Sequence, residues 1–226
     1  MKVILLPGLD GTGLLFKPLL EQTPSSDLFS IFPLIQEPIG YQPQIEFLEK
    51  EIGDTEVILV AESYSGYIAY ELACRGNIGI KHIVFAASFL APPSFLIKFV
   101  NILPLGLIKS QLLPYWILND FLFGNKGNRE LESRFYRSIN SVSHRVLMRR
   151  LKNISELKSP TKTLQIPCTY IKAESDRLVN ANSAKIFEKV CTNLTIKRVE
   201  GGHFVLQSNP KTCFGIINRV IALKSS

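Results

Sequence analysis

Two apolar periods alternate along the chain, and their order sets the fold class. Short continuous runs at Lys2–Leu6, Leu28–Ile35, Val57–Val60, Lys81–Ala87, Ile166–Ala173 and Leu194–Val199 read as strands, with Val57–Val60 of the kind covered on both faces. Between them, apolar residues recur at three- and four-residue spacing. Leu14, Leu15, Leu19 and Leu20 form one such set, and Gln44–Ile52, closed by Gly53, forms another. Ile68 and Leu72, flanked by Ala69 and Ala73 and stopped at Arg75 and Gly76, form a third, followed by Asn182–Val190 and Thr212–Leu223. Strands alternating with helices predict an α/β fold built on a mostly parallel sheet of about six strands with helices on both faces.

One interval breaks the alternation. After Ala91, Pro92 and Pro93 about 70 residues pass before the strand at 166, too many for a structureless loop in a compact domain. Helical spacing fills them: Phe95, Leu96 and Phe99; Leu112, Leu113, Trp116 and Ile117; Val142, Val146, Leu147, Leu151 and Ile154. The expected organisation is a core of residues 1–90 and 160–226, with residues 91–159 inserted as a helical cap.

Length and composition bound the rest. The 226 residues, 46% of them hydrophobic, suffice for one domain with a large core and exclude a disordered chain. The opening MKVILLPGLDG is broken by Pro7 and Gly8 and reads as a first core strand, with no signal peptide expected. Lys98, Pro104, Lys109 and Pro114 interrupt the longest apolar region, so no transmembrane segment is expected. Cys74, Cys168, Cys191 and Cys213 are widely spaced, without a C-x-x-C or a histidine at ligand spacing. They read as buried reduced thiols of a cytoplasmic protein with no metal or other cofactor. The net charge is +7, and residues 126–152 hold eight basic and two acidic side chains, so +6 of it is local.

The chemistry concentrates at Ala61-Glu62-Ser63-Tyr64-Ser65, between a strand and a helix. A serine raised on so sharp a turn leaves room only for small side chains two residues to either side. Ser65 fits the raised position poorly, because Tyr67 would then occupy a crowded flank. The stretch resembles the G-x-S-x-G nucleophile elbow of the α/β-hydrolases, with Ala61 and Ser65 at the glycine places. Ala173-Glu174-Ser175-Asp176-Arg177-Leu178-Val179 resembles that family's G-x-x-D-x-x-V acid loop, and His203 follows Gly201 and Gly202 past the last strand. The order Ser63, Asp176, His203 is the family's order. The resemblance therefore implies an α/β-hydrolase fold in which Ser63 is the nucleophile, His203 its base and Asp176 the orienting acid. Glu174 competes for the acid's place, Glu62 has no assigned catalytic role, and His82 and His144 read as structural. Three glycines between Gly8 and Gly13 match neither the dinucleotide fingerprint nor the P-loop. By the resemblance this loop supplies the Leu9 N–H, which with the Tyr64 N–H forms an oxyanion hole, although Pro7 stands where the family commonly has histidine.

The implied activity is cleavage of a carboxylic ester or thioester through an acyl-enzyme. Phe95, Phe99, Leu103, Leu107, Leu113, Trp116, Phe121 and Phe123 are candidates to line an acyl channel. Arg134 and Arg137, and Arg145 and Arg149 with Lys152, are spaced to share helix faces beside the expected entrance. Such a patch attracts an anionic head group, coenzyme A, an acidic carrier protein or an anionic surface. It resembles, in arrangement, the basic cap of the acyl-carrier-protein methyl ester esterases. Leu6 to Gly13, LPGLDGTG, resembles the oxyanion loop of plastid phytyl ester synthase and related acyltransferases. Acyl transfer to an alcohol and binding without turnover stay open beside hydrolysis. No nucleic-acid partner is expected, since no recognition motif accompanies the charge.

Overall fold

The structure, a computed structural model, describes residues 1–93, 105–179 and 181–225. In chain order β1 (Lys2–Leu6) leads through a 3-10 turn into α1 (Lys17–Leu20), and β2 (Phe29–Ile31) into α2 (Tyr41–Ile52). Next come β3 (Val57–Glu62), α3 (Ser65–Arg75) and β4 (Ile80–Ala86). A helical segment between β4 and the next strand, called the insertion below, holds α4 (Leu105–Lys109), α5 (Tyr115–Leu118), a π-helical turn at Asn119–Phe123, α6 (Arg129–Asn140) and α7 (His144–Ser155). The chain closes with β5 (Cys168–Ala173), α8 (Ala181–Val190), β6 (Leu194–Val199), α9 (Val205–Ser208) and α10 (Pro210–Ser225).

The six strands form one sheet in the order β2-β1-β3-β4-β5-β6, and every pairing is parallel rather than most of them. Strand alternation divides the core in two. Ile4 and Leu6 of β1, Leu59 and Ala61 of β3, and Ile83 and Phe85 of β4 pack on one face, against α2, α3, α8 and the insertion. Val3 and Leu5, Ile58 and Val60, and Val84 and Ala86 pack on the other, against Phe16 and Leu19 near α1 and Cys213 and Ile217 of α10. Burial on both faces is why these strands read as continuous apolar runs.

Two expected strands are shorter than their apolar runs. β2 stops at Ile31 because Pro33 offers no N–H, while the Leu34 N–H donates to Gly11 O (2.8 Å) and the Ile35 N–H to Gln44 Oε1 (2.7 Å). β5 begins at Cys168, beyond Pro167, rather than at Ile166. Helix α2 begins at Tyr41, three residues ahead of the expected start, since its first turn tolerates Pro43. The Leu14–Leu20 pattern is divided between the 3-10 turn and α1.

Strand order reverses direction at β1, whose neighbours β2 and β3 are reached by connections running to opposite sides. In open parallel sheets the crevice beyond the strand carboxyl ends at such a point is where ligands bind. The insertion is docked over this end. The Phe204 N–H donates to Leu122 O (2.9 Å), and a Cβ on Gly202 would lie 2.5 Å from Gly124 N and 2.6 Å from Leu122 O. Gly202→Ala is therefore expected to destabilise by roughly 1–3 kcal/mol, since backbone has to move on both sides. Gly215, exposed in α10 with nothing within 4 Å of its Cβ position, is the control. Gly215→Ala is expected to stabilise by about 0.5–1 kcal/mol. Urea unfolding of both variants checks the pair.

Candidate active site

β3 delivers Ser63 at its carboxyl end, where the chain reverses at once into α3. The reversal places Ser63 at φ 48°, in the left-handed region, with its N–H bonded to Ala86 O (3.0 Å) and its carbonyl accepting from the Gly66 N–H (3.0 Å). Close packing explains the small residues around it. Ala61 and Ser65 are fully buried, the Ser65 hydroxyl donates to Pro7 O, and a Cβ on Gly66 would lie 2.6 Å from Ser88 Cβ. Gly66, unremarked in the sequence pattern, is thus as constrained as the two flanking positions.

Three loops at one end of the sheet bring the predicted trio together. Ser63 Oγ lies 2.8 Å from His203 Nε2, and His203 Nδ1 lies 3.0 Å from Asp176 Oδ2. The other carboxylate oxygen, Asp176 Oδ1, accepts the Leu178 and Val179 N–H groups, both at 2.8 Å. All three side chains are buried. Glu174 points outward and takes no part. His82 is buried beside Thr169 Oγ1 (2.9 Å), and His144 is exposed at the start of α7. Burial alone would lower the His203 pKa, but the Asp176 charge, its hydrogen bond and the Glu62 charge outweigh it, and the net shift is upward. A serine hydroxyl, an imidazole and a fixed carboxylate in this relay can generate a nucleophile near neutral pH.

Leu9 and Tyr64 flank the serine. Tyr64 caps α3, and the first N–H groups of a helix have no intrahelical acceptor. Its ring is held by stacking on Tyr41 (4.6 Å) and by the Asn153 side chain (3.2 Å). At Leu9 the preceding peptide is fixed by the Gly11 N–H bonded to Gly8 O (3.0 Å), which sets the direction of the Leu9 N–H across a trans peptide.

A cavity of about 100 Å³ opens over Ser63 and His203. Its lining is almost wholly apolar, supplied from the insertion by Ile108, Leu113, Ile117, Phe121, Phe135 and Ile139, and from the core by Gly8 and Leu9. Of the expected channel residues, Leu113 and Phe121 reach it. Phe123 is instead buried against Phe135 and Phe204, and Trp116 is 70% exposed because the single turn of α5 directs Ile117 and Leu118 inward. Phe95, Phe99 and Leu103 lie outside the described residues, as does the Leu107 side chain.

The basic residues do not converge on the cavity. Lys126 pairs with Glu200, Arg129 with Glu132, Arg134 with Glu130, Arg145 with Glu37 and Lys152 with Glu156. Three of those acids, Glu37, Glu156 and Glu200, lie outside the basic segment in sequence. Among the described residues this leaves Arg137 and Arg149 exposed without an ion pair, and Arg150 buried. The four cysteines are free, three of them buried and Cys74 half-buried. Among the described residues no helix is long and apolar enough to cross a membrane.

Two acidic side chains that no sequence motif singles out also line the cavity. Asp10 is buried at the cavity wall, with Oδ2 accepting from Thr12 N (3.0 Å), Thr12 Oγ1 (2.6 Å) and Ser138 Oγ (2.6 Å). Glu62, directly before Ser63, also lines the cavity, and Gln207 Nε2 donates to its Oε1 (2.9 Å). Burial pushes the Glu62 carboxyl up to about 7; Asp10 adds to the rise, while the Gln207 bond and His203 oppose it. A folded-state pKa above the ordinary 4.5 means that the folded protein holds a proton the unfolded chain releases. The associated stability is complete below pH 4.5 and is lost as pH rises through about 7. Glu62→Gln is expected to remove this component. The difference in Tm between variant and wild type should then grow in the variant's favour from pH 4.5 to 7.5, as thermal unfolding at a series of pH values will show.

No family model and no curated protein sequence matches the chain. Solved structures do. An esterase from Exiguobacterium antarcticum superposes with a TM-score of 0.78 at 11% identity, over 98% of this chain and 92% of its own. An alpha/beta hydrolase fold protein from Chitinophaga pinensis gives 0.78 at 16% identity, over 98% and 89%. The RedJ thioesterase of prodiginine biosynthesis in Streptomyces coelicolor gives 0.71 at 18% identity, over 96% and 84%. Sheet order, elbow and superposition agree: the chain has the α/β-hydrolase fold.

Proposed function

We propose that the chain is a serine hydrolase that cleaves carboxylic ester or thioester bonds of acyl substrates. The observation that carries this reading is the Ser63, His203, Asp176 relay, with links of 2.8 Å and 3.0 Å, opening into an almost wholly apolar cavity. An esterase and a thioesterase among the structural neighbours accord with it.

In this mechanism His203 Nε2 takes the Ser63 proton as Oγ attacks the acyl carbonyl. The Leu9 and Tyr64 N–H groups receive the oxyanion, each donor worth about 3–4 kcal/mol of barrier by analogy with other such sites. His203 then protonates the departing alkoxide or thiolate, leaving an acyl-Ser63 ester. It next deprotonates the water that hydrolyses this ester. Asp176, locked by the Leu178 and Val179 N–H groups, keeps the Nδ1 proton in place and stabilises the imidazolium. The apolar walls take the acyl chain, and residues 91–159 act as its cap. Arg137 and Arg149, the two exposed arginines without an ion pair, are the remaining candidates to meet an anionic head group or acidic carrier.

Turnover of p-nitrophenyl esters of increasing acyl length tests the reading. Ser63→Ala is expected to lower kcat by roughly 10⁶ and Asp176→Asn by about 10⁴, as in serine proteases. Absence of wild-type turnover on every ester, together with no fluorophosphonate labelling of Ser63, would overturn it. His203 acts only when neutral and its pKa lies above 6.5, so kcat/KM is expected to fall with acid along a limb centred above that pH. Glu62→Gln removes a charge that raises the His203 pKa, and should shift the limb to lower pH.

A further inference from the structure

Arg150 is the largest of the fully buried side chains, 2% exposed, although it lies in the most basic segment of the chain. Its guanidinium carries the insertion into the core. Nη1 donates to Leu9 O (2.9 Å) and Asp10 O (2.8 Å), and Nη2 to Ile35 O (3.2 Å) and Leu34 O (3.4 Å). The approach is so close that a Cβ on Gly11, at φ 70°, would lie 2.4 Å from Nη1. From the neighbouring helix α6, the Ser138 hydroxyl donates to the Asp10 carboxylate (2.6 Å). The two helices α6 and α7 thus grip residues 9 and 10 through one side chain each. The gripped loop faces Ser63: a Cβ on Gly8 would lie 3.6 Å from Ser63 Cβ.

We infer that Arg150 is a positioning residue for the oxyanion loop, holding the Leu9 N–H aimed at Ser63 and making the hole conditional on a docked insertion. The inference rests on the hydrolase reading. Its physical ground is peptide planarity. The Gly11 N–H bonded to Gly8 O fixes the 8–9 plane, and Arg150 fixes the 9–10 and 10–11 planes through their carbonyls. Three successive planes fixed in this way leave the Leu9 N–H one direction before substrate arrives, and donors set in advance need no reorganisation in the transition state. A planar guanidinium with donors in a fixed fork can reach carbonyls on two loops at once, whereas an ammonium on a flexible stem cannot reproduce that geometry.

The test compares wild type, Arg150→Lys, Arg150→Ala and Ser138→Ala, each first shown folded by circular dichroism. Three quantities are read: KM, kcat, and the inhibition constant of an acyl trifluoromethyl ketone, whose adduct with Ser63 presents an oxyanion. For Arg150→Lys kcat is expected to fall about 10²–10³-fold, the scale of losing one oxyanion donor, with KM within threefold. The ketone is expected to bind more weakly by the same factor as the loss in kcat. Added methylguanidinium should partly restore kcat in Arg150→Ala, and Ser138→Ala should show the same pattern at smaller amplitude. A folded Arg150→Lys with unchanged kcat and unchanged ketone affinity overturns the inference, as does a rise in KM alone. Should Arg150→Ala not fold, Arg150→Lys and Ser138→Ala decide. Failure of the hydrolase reading shows separately, in wild type, as no turnover and no labelling of Ser63. In that event amide exchange at Gly11 and Leu34 decides: faster exchange in folded Arg150→Lys supports the loop-holding role, and unchanged exchange overturns it.

Discussion

The structure depends on one backbone constraint, the left-handed turn at Ser63. A side chain held at φ 48° costs on the order of 1–2 kcal/mol relative to an ordinary conformation, so the surroundings must enforce it. They do so from both ends. β3 is buried on both faces and hydrogen-bonded on both edges, which fixes where the strand ends. α3 is pressed against Ser88 at Gly66, which fixes where the helix begins. Between those fixed points one residue must turn, and its Oγ is driven out over the sheet end. The reactivity proposed for Ser63 is therefore a property of sheet and helix packing before it is a property of the side chain.

Everything else at that end has to be brought to Ser63, and the insertion touches each of the three loops that do so. It reaches the first through Arg150 and Ser138, and the histidine loop through Leu122 O and the close approach of Gly124 to Gly202. It reaches the acid loop through Asp120, paired with Arg177 at 2.8 Å. Loops at a sheet end are ordinarily the least constrained part of an α/β fold. Here one helical body spans all three, so the cavity wall and the geometry of the polar relay are built from the same contacts.

How much of this was legible in the sequence follows from which interactions are local. Ser63, Asp176 and His203 could be read because each directly follows an apolar run, and parallel strands deliver their carboxyl ends to one side. Leu9 and Tyr64 were named only through the family resemblance of their two turns. Arg150 was not, since beside Arg149 it looks like one more charge in a basic helix. A signal existed: Val146, Leu147, Leu151 and Ile154 lie at i−4, i−3, i+1 and i+4 from it, so Arg150 falls on the apolar stripe and Arg149 off it. The basic patch misled in the opposite sense. Glu37 and Glu200, which pair with Arg145 and Lys126, lie far away in the chain, so the pairing that neutralises much of the patch is invisible to a local count. Trp116 misled because Leu112 and Leu113, whose spacing it shares, lie before Pro114 and outside the four-residue helix Tyr115–Leu118.

The acid beside the nucleophile follows from this packing. Glu62 is the last residue of β3, so the position that carries its backbone into the turn also buries its carboxyl, with Gln207 Nε2 as hydrogen-bond donor. An ionised Glu62 would set a negative charge beside Ser63, in a cavity too apolar to screen it. Burial acts against that state. Desolvation raises the Glu62 pKa to about 7 and so favours its proton. The Asp176 carboxylate is supplied differently: two backbone N–H groups donate to Oδ1, and Oδ2 faces the imidazole. Two carboxyls near one histidine thus differ in their hydrogen-bond donors: in the mechanism proposed above the fully supplied one stabilises the imidazolium, while the one held by a single amide is biased toward neutrality.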